Sequence, residues 1–188
     1  EDTKADKKIV AVKVVYWTQS DDGENALRRV TAEYAALRKI SHPNIIRVLE
    51  AGRLGKDSCF IAMEYGGGET LSRRIERQRE EPLTFEEVLR TLHAMAKGLE
   101  CVHSAQILHR DLKPANILIG APGELKILDF GLARDMELGH TITKTGETVG
   151  TPDYMSPEQL SDTADVDTRS DIYALGAIFY EVLTGTPP

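Results

Sequence analysis

The 188 residues carry 30 acidic against 23 basic side chains, a formal net charge of −7, with 41% hydrophobic and 28% charged residues. That is an ordinary globular balance for one domain or two small ones, and its acidity excludes a broad nucleic-acid footprint, which needs a basic face. No apolar run reaches the roughly 18 residues that span a bilayer, and the two cysteines, Cys59 and Cys101, are too few for a disulfide framework or a thiolate zinc site, so a reducing compartment is expected.

In chain order, Ile9 to Tyr16 is β-branched and aromatic and predicts a buried strand that carries one lysine, Lys13. Thr18 to Gly23 is a polar loop. From Asn25 to Ile40 the apolar positions Leu27, Val30, Tyr34, Leu37 and Ile40 recur every three or four residues, which predicts an amphipathic helix. His42-Pro43-Asn44 ends it, because the residue before a proline is pushed out of the helical region. Strands are expected over about Ile46–Leu54 and Ser58–Met63, and the Gly66-Gly67-Gly68 run then marks a hinge. A boundary placed there divides the chain into residues 1–65 and 66–188.

Beyond the hinge, Glu69–Arg79 predicts a short charged helix. Thr84-Phe85-Glu86-Glu87 is a capping box that opens a long helix to about Ser104, with Val88, Leu92, Met95, Leu99 and Val102 on one stripe. Two short apolar runs, Ile117–Ile119 and Leu125–Leu128, are joined by Gly120-Ala121-Pro122-Gly123 at a spacing that suits a hairpin. Residues 132–160 are polar and threonine-rich with little periodicity, and such a long irregular stretch is usually functional. Ser170 is expected to cap a last helix that runs to Thr184.

The densest chemistry is His109-Arg110-Asp111-Leu112-Lys113-Pro114-Ala115-Asn116, followed thirteen residues on by Asp129-Phe130-Gly131. These are two carboxylates, an amide and two cations on loops flanking the hairpin, which folds the chain back so that Asn116 and Asp129 can face one site. A carbonyl oxygen plus a carboxylate is hard-oxygen chemistry suited to Mg²⁺ held jointly with phosphates. Asp111 could then accept a proton from an attacking hydroxyl, or orient it, and Lys113 could neutralise charge on the transferred group. Either tripeptide alone would be read as a polar turn. Both in order, with Lys and Asn at these offsets, make coincidence a poor account.

Together with Val10-Ala11-Val12-Lys13, Ser156-Pro157-Glu158 and Asp171-Ile172-Tyr173-Ala174-Leu175-Gly176, these motifs resemble the eukaryotic-type (Hanks-type) serine/threonine protein kinase catalytic domain over essentially the whole chain. The fold implied is α+β and two-lobed: a small antiparallel sheet with one helix, then a mainly helical lobe, both incomplete. The resemblance implies ATP with Mg²⁺ (or Mn²⁺) as cofactors and transfer of the γ-phosphoryl group to Ser/Thr hydroxyls of proteins. Asp111 is then the catalytic base, Asn116 and Asp129 hold the metal, and Lys13 holds the α- and β-phosphates while pairing with Glu33. Glu33 is flanked by Val30 and Leu37 at helical spacing and can point back at the strand, whereas Glu24 lies before the helix.

The same resemblance makes Met63 the gatekeeper, places the backbone of Glu64 and Gly66 against adenine, and sandwiches the ring between Ala11 and Leu118. It makes Asp171 a brace for the catalytic-loop backbone and stacks His109 with Phe130, Leu37 and Val48; His93, His103 and His140 are read as structural or incidental. Lys113, and Thr151 bonded to the catalytic aspartate and lysine, favour Ser/Thr over Tyr as acceptor. The Thr-Ile-Thr-Lys-Thr run resembles the activation loop of bacterial members and points to Thr143 and Thr145 as autophosphorylation sites, which implies self-association of the kinase. Thr141 and Thr148 lie in the same loop.

The pattern also has departures. Only eight residues, none of them glycine, precede Ile9, so the glycine-rich phosphate lid and first strand of the family are missing, and the lower helices with the arginine that pairs with Glu158 are absent at the other end. An unpaired Glu158 is therefore expected. The alternative reading is a nucleotide- or partner-binding fragment, or pseudokinase, without useful turnover; a small-molecule kinase is disfavoured by Thr151 and the SPE segment. Expected partners are protein substrates, with no nucleic acid and no membrane contact within this segment. The segment is expected to be cytoplasmic, with any anchor of the parent protein lying outside it.

Overall fold

A computed structural model describes residues 9–16, 28, 31, 32, 34–55, 57–121, 124–130, 152–161 and 166–188. Its first sheet is antiparallel, with strands β1 (Val10–Tyr16), β2 (Val48–Arg53) and β3 (Ser58–Glu64) in the order β1-β3-β2. Along β1, Ala11, Lys13, Val14 and Val15 are partly buried while Val10, Val12 and Tyr16 are exposed, so the strand is half covered where a buried one was expected. Between β1 and β2, helix α1 is described at residues 28, 31, 32 and 34–37, with Tyr34 and Leu37 buried. It tightens into a turn at 38–39, where the Ile40 N–H donates to the Leu37 carbonyl, three residues short of the expected end.

After the glycine run the chain forms β4 (Glu69–Thr70), helix α2 (Leu71–Glu76) and a 3₁₀ turn over Arg77–Arg79. The expected helix over Glu69–Arg79 is therefore corrected at its start. Glu69 and Thr70 are extended because they pair with Ile119 and Leu118, and the Thr70 side chain accepts the Arg73 N–H as the cap of α2. Gly68 permits this entry. It sits at φ +104°, and a Cβ there would lie 2.0 Å from the Ile119 carbonyl oxygen, inside the hairpin backbone. Helix α3 (Phe85–Ser104) opens on the Thr84–Glu87 capping box and buries Val88, Met95, Gly98, Leu99 and Val102. The hairpin is β5 (Ile117–Ile119) and β6 (Leu125–Ile127), and the second sheet has the order β4-β5-β6.

Two short elements and a long one close the described chain: a 3₁₀ turn over Pro152–Tyr154, helix α4 (Pro157–Leu160), and helix α5 (Thr168–Thr184), which ends on left-handed Gly185. The expected cap Ser170 is corrected to Asp167, whose carboxylate accepts the Arg169 N–H; Ser170 lies inside the helix, buried. Helix α4 was not anticipated within the irregular stretch, although Ser156-Pro157-Glu158-Gln159 carries its signal, a capping box with proline in the first turn.

The two sheets meet through residues 44–46. Asn44 donates from Nδ2 to the Leu125 carbonyl at 3.1 Å and accepts the Ile127 N–H at 2.9 Å, and the Ile46 N–H donates to the Ile127 carbonyl at 3.0 Å. Gly98 of α3 backs this seam: a Cβ there would fall 2.8 Å from Ile127 Cδ1 and 3.3 Å from the Asn44 carbonyl oxygen. One hydrophobic cluster runs from Leu37 and Val48 through Leu99 and Ile127 to Ile178 and Val182. Both halves thus share a single core. Among the described residues no helix is long and apolar enough to cross a membrane.

Candidate active site

The loop between α3 and β5 carries His109, Asp111, Lys113 and Asn116, and its backbone is held from below by one buried carboxylate. Asp171, 2% exposed in the first turn of α5, accepts the His109 N–H on Oδ2 at 2.8 Å and the Arg110 N–H on Oδ1 at 2.9 Å. His103, at the end of α3, donates its ring N–H to the same Oδ2 at 2.7 Å. A buried carboxylate is tolerable only when its lone pairs are filled, and here three donors fill them. His103, read from the sequence as structural or incidental, is one of them and so has a structural role; a lone histidine at a helix end does not by itself name its partner.

His109 is fully buried, its ring centroid 4.7 Å from that of Phe130, and Leu37 and Val48 belong to the same core cluster. Its Nε2–H donates to the Leu128 carbonyl at 2.8 Å, and Nδ1 faces the Asp111 N–H at 3.3 Å as an acceptor. Both nitrogens are thus used by the neutral ring. Burial pushes the imidazole below its ordinary value near 6.5, against the opposing pull of Asp171, the Leu128 hydrogen bond, Asp111 and Asp129. Folding therefore favours neutral His109, the unfolded chain binds the extra proton below pH 6.5, and this contribution to stability is complete above that pH and lost as pH falls. The chain should therefore be less stable at pH 5.5 than at pH 7.5. Urea unfolding at the two pH values measures the loss, and His109→Gln should remove that part of the slope.

Asp111 follows a strained residue: Arg110 has φ +64°, the left-handed region that residues other than glycine seldom adopt. The Asp111 carboxylate pairs with Lys113 Nζ at 2.8 Å, and Asn116 Nδ2 donates both to the Asp111 carbonyl at 2.8 Å and to Oδ2 at 3.2 Å. Both bonds use the amide nitrogen of Asn116, so its oxygen is the atom left to ligate a cation. The Asn116 carbonyl accepts the Leu128 N–H at 2.8 Å, which fastens this residue to the strand end that leads into Asp129. The hairpin thereby brings Asn116 and Asp129 to one place.

Asp129, itself left-handed at φ +47°, pairs with Lys13 Nζ at 2.9 Å, with both side chains about a third exposed. The pair links β1 of the first sheet to the loop after β6. In the register of β1 against β3, Ala11 lies opposite Met63 and Lys13 opposite Ile61, so Ala11 and Lys13 share the inward face. A Cβ on Gly66 would be 2.9 Å from Leu118 Cδ1, which places the hinge backbone against the first strand of the hairpin. Glu64 is the anchor of that hinge. Its N–H donates to the Arg47 carbonyl at 3.0 Å, and its carboxylate accepts the Arg47 N–H at 3.0 Å and Lys126 Nζ at 2.6 Å. Burial would raise the Glu64 carboxyl, but the Lys126 and Arg47 contacts outweigh it and hold the group below the ordinary carboxylate value.

The end of the irregular stretch packs under the loop. Tyr154 is buried, and its hydroxyl donates to Glu181 of α5 at 2.5 Å; burial, then this bond, pushes the phenol far above its ordinary value. Glu158 is corrected from the unpaired state expected of it. It accepts the Ser170 hydroxyl at 2.6 Å, and that bond leads the contacts that hold its carboxyl below the ordinary value. Glu33, Thr143, Thr145 and Thr151 lie outside the described residues, as do Thr141, Thr148 and His140.

No group of three or more His, Cys, Asp or Glu side chains among the described residues could hold a metal unaided. Asn116 and Asp129 supply two hard oxygens. That donor set fits Mg²⁺, which binds through one or two protein groups and takes its other ligands from waters and phosphates.

Known proteins are similar to this chain over most of its length. The protein kinase domain family matches residues 2–188. Serine/threonine-protein kinase pkn3 of Myxococcus xanthus is 39% identical over 96% of this chain, and serine/threonine-protein kinase PknB of Mycobacterium tuberculosis is 39% identical over 95% of it. A probable serine/threonine-protein kinase PknB of Lactococcus lactis is 35% identical over the whole chain. The chain spans 34%, 29% and 29% of the lengths of these relatives.

Proposed function

From the premise that this chain belongs to the protein kinase domain family, we propose that it is the catalytic part of a protein serine/threonine kinase that moves the γ-phosphoryl group of ATP to Ser/Thr hydroxyls of proteins. The observation that carries this reading is the Asp111 carboxylate, held by Lys113 and Asn116 beside the strand end that delivers Asp129. Asp111 takes the proton of the attacking hydroxyl, or orients it, at Oδ1 or Oδ2. Lys113, 2.8 Å from Oδ2, is placed to neutralise negative charge gathering on the transferred group. Asn116 Oδ1 and the Asp129 carboxylate would hold Mg²⁺, which supplies charge neutralisation at the β- and γ-phosphates when bound.

Lys13, now on Asp129, is the cation for the α- and β-phosphates, and Glu33 its partner in the assembled site. Ala11, Met63 and Leu118 with the backbone of Glu64 and Gly66 form the adenine slot. The division of the chain at residues 65/66 then separates the two walls of the nucleotide cleft. Thr143 and Thr145 are the phosphorylation sites of the activation segment, phosphorylated by a second copy of the kinase, and Thr151 bonds Asp111 and Lys113. The test is phosphoryl transfer from ATP to a mixed-sequence protein substrate, with phosphoamino-acid analysis of the product. Phosphoserine and phosphothreonine formed only with a divalent cation are expected. Phosphotyrosine alone, or transfer undiminished by chelation of the metal, would overturn the reading.

A further inference from the structure

We propose that Gln159 is a positioning residue for catalysis: its amide couples the start of α4 to the peptide that carries Asp111. The inference rests on the kinase reading above and extends it to a side chain outside the reacting groups.

Both ends of the Gln159 amide are engaged. Oε1 accepts the N–H of Ser156 at 3.1 Å, with the Ser156 hydroxyl at 3.4 Å, which is the reciprocal half of the α4 capping box. Nε2 donates to the carbonyl of Arg110 at 2.8 Å, across 49 positions of sequence. Ser156 is fully buried, so the cap is a fixed point. The amide orientation follows from its partners, since an N–H can only be met by the oxygen and a carbonyl only by the nitrogen.

The Arg110 carbonyl is a consequential place to hold. Arg110 is left-handed at φ +64°, a conformation that persists only where its surroundings over-determine it. The Arg110 N–H is fixed by Asp171 Oδ1 at 2.9 Å. The next peptide, Arg110–Asp111, has its N–H on the His109 carbonyl at 2.8 Å and its oxygen on Gln159. A flip of this peptide changes ψ of Arg110 and φ of Asp111 together and would swing the Asp111 side chain. Gln159 closes the oxygen end against that flip. The cap of α4 thus helps to set the direction of the catalytic carboxylate.

Gln159→Glu separates this role from helix capping. A carboxylate at the third helical position still accepts the Ser156 N–H and is favoured by the helix N-terminus, but it has no proton for the Arg110 carbonyl. Gln159→Met, of similar length and without charge, makes neither bond and serves as a second variant. In the full-length protein that carries this chain, each should lower kcat by about tenfold or more, as a misdirected catalytic group does, with KM for ATP within about twofold of the parent. A kcat within twofold of the parent for both variants overturns the inference, as does a fall in kcat matched by an equal fall in the fraction of molecules that bind ATP. Asp111→Asn, assayed in parallel, tells the two levels apart: if it is inactive the kinase reading stands whatever Gln159 does, and if it stays active that reading fails first.

Discussion

Replacing Asp111 by Asn should reduce the rate of phosphoryl transfer by about 10²- to 10⁴-fold, the range attributable to a positioned general base, while leaving folding and nucleotide binding in place. The substitution keeps the side-chain shape but removes the charge and the ability to take a proton. The local structure can bear it. Asp111 is partly exposed, so no buried charge is stranded, and Asn116 keeps its shorter bond, the one to the main-chain carbonyl at 2.8 Å. What disappears is the ion pair to Lys113 at 2.8 Å, a surface-type interaction of roughly 0–1 kcal/mol. The loss should therefore fall on kcat, with KM for ATP unchanged, because the nucleotide contacts proposed for Lys13, Met63 and Leu118 lie elsewhere. Initial rates at saturating ATP, set beside ATP titration of the same preparation, measure the split. Transfer within about threefold of the parent rate would remove Asp111 from the reaction.

The motifs of this loop were legible because their chemistry is local: Asp111, Lys113 and Asn116 lie within six residues and meet through short-range bonds. The first strand was legible from its β-branched and aromatic run, though not which face is covered, and α3 from the three-to-four spacing of Val88, Met95, Leu99 and Val102, which reports its buried face. Elements defined by distant partners were not. Glu69 and Thr70 are extended only because Leu118 and Ile119 offer an edge to pair with, and a two-residue strand has no period of its own. Ser170 has the chemistry of a cap, but Asp167 does too, and the choice is made by Glu158, which takes the Ser170 hydroxyl. That same contact answered the expectation of an unpaired Glu158. A structural role for His103 was open and Asp171 was expected to brace the loop, but nothing local links the two across 68 positions.

That carboxylate carries the second large effect. Asp171→Ala should destabilise the chain by about 3–5 kcal/mol, the scale for stripping one partner from a buried, hydrogen-bonded charge site. The alanine would leave the backbone N–H groups of His109 and Arg110 without the oxygens that now lie 2.8 and 2.9 Å from them, and His103 without its acceptor at 2.7 Å. Each buried orphan donor costs about 1–3 kcal/mol, so three of them account for the total even after partial rescue by water. At about 2–4 °C per kcal/mol for a chain of this size, the melting temperature should fall by roughly 10 °C. Asp171→Asn should cost less in stability, because one amide oxygen can still accept, yet its NH₂ would then face a donor on the other side. That mismatch falls on the peptides either side of Arg110, whose left-handed φ has little margin for a lost restraint. Activity should therefore drop in Asp171→Asn at temperatures where the protein remains folded. Calorimetry and initial rates on the two variants separate the effects; an Asn variant that melts lower but turns over at the parent rate would show that Asp171 supports the fold without directing Asp111.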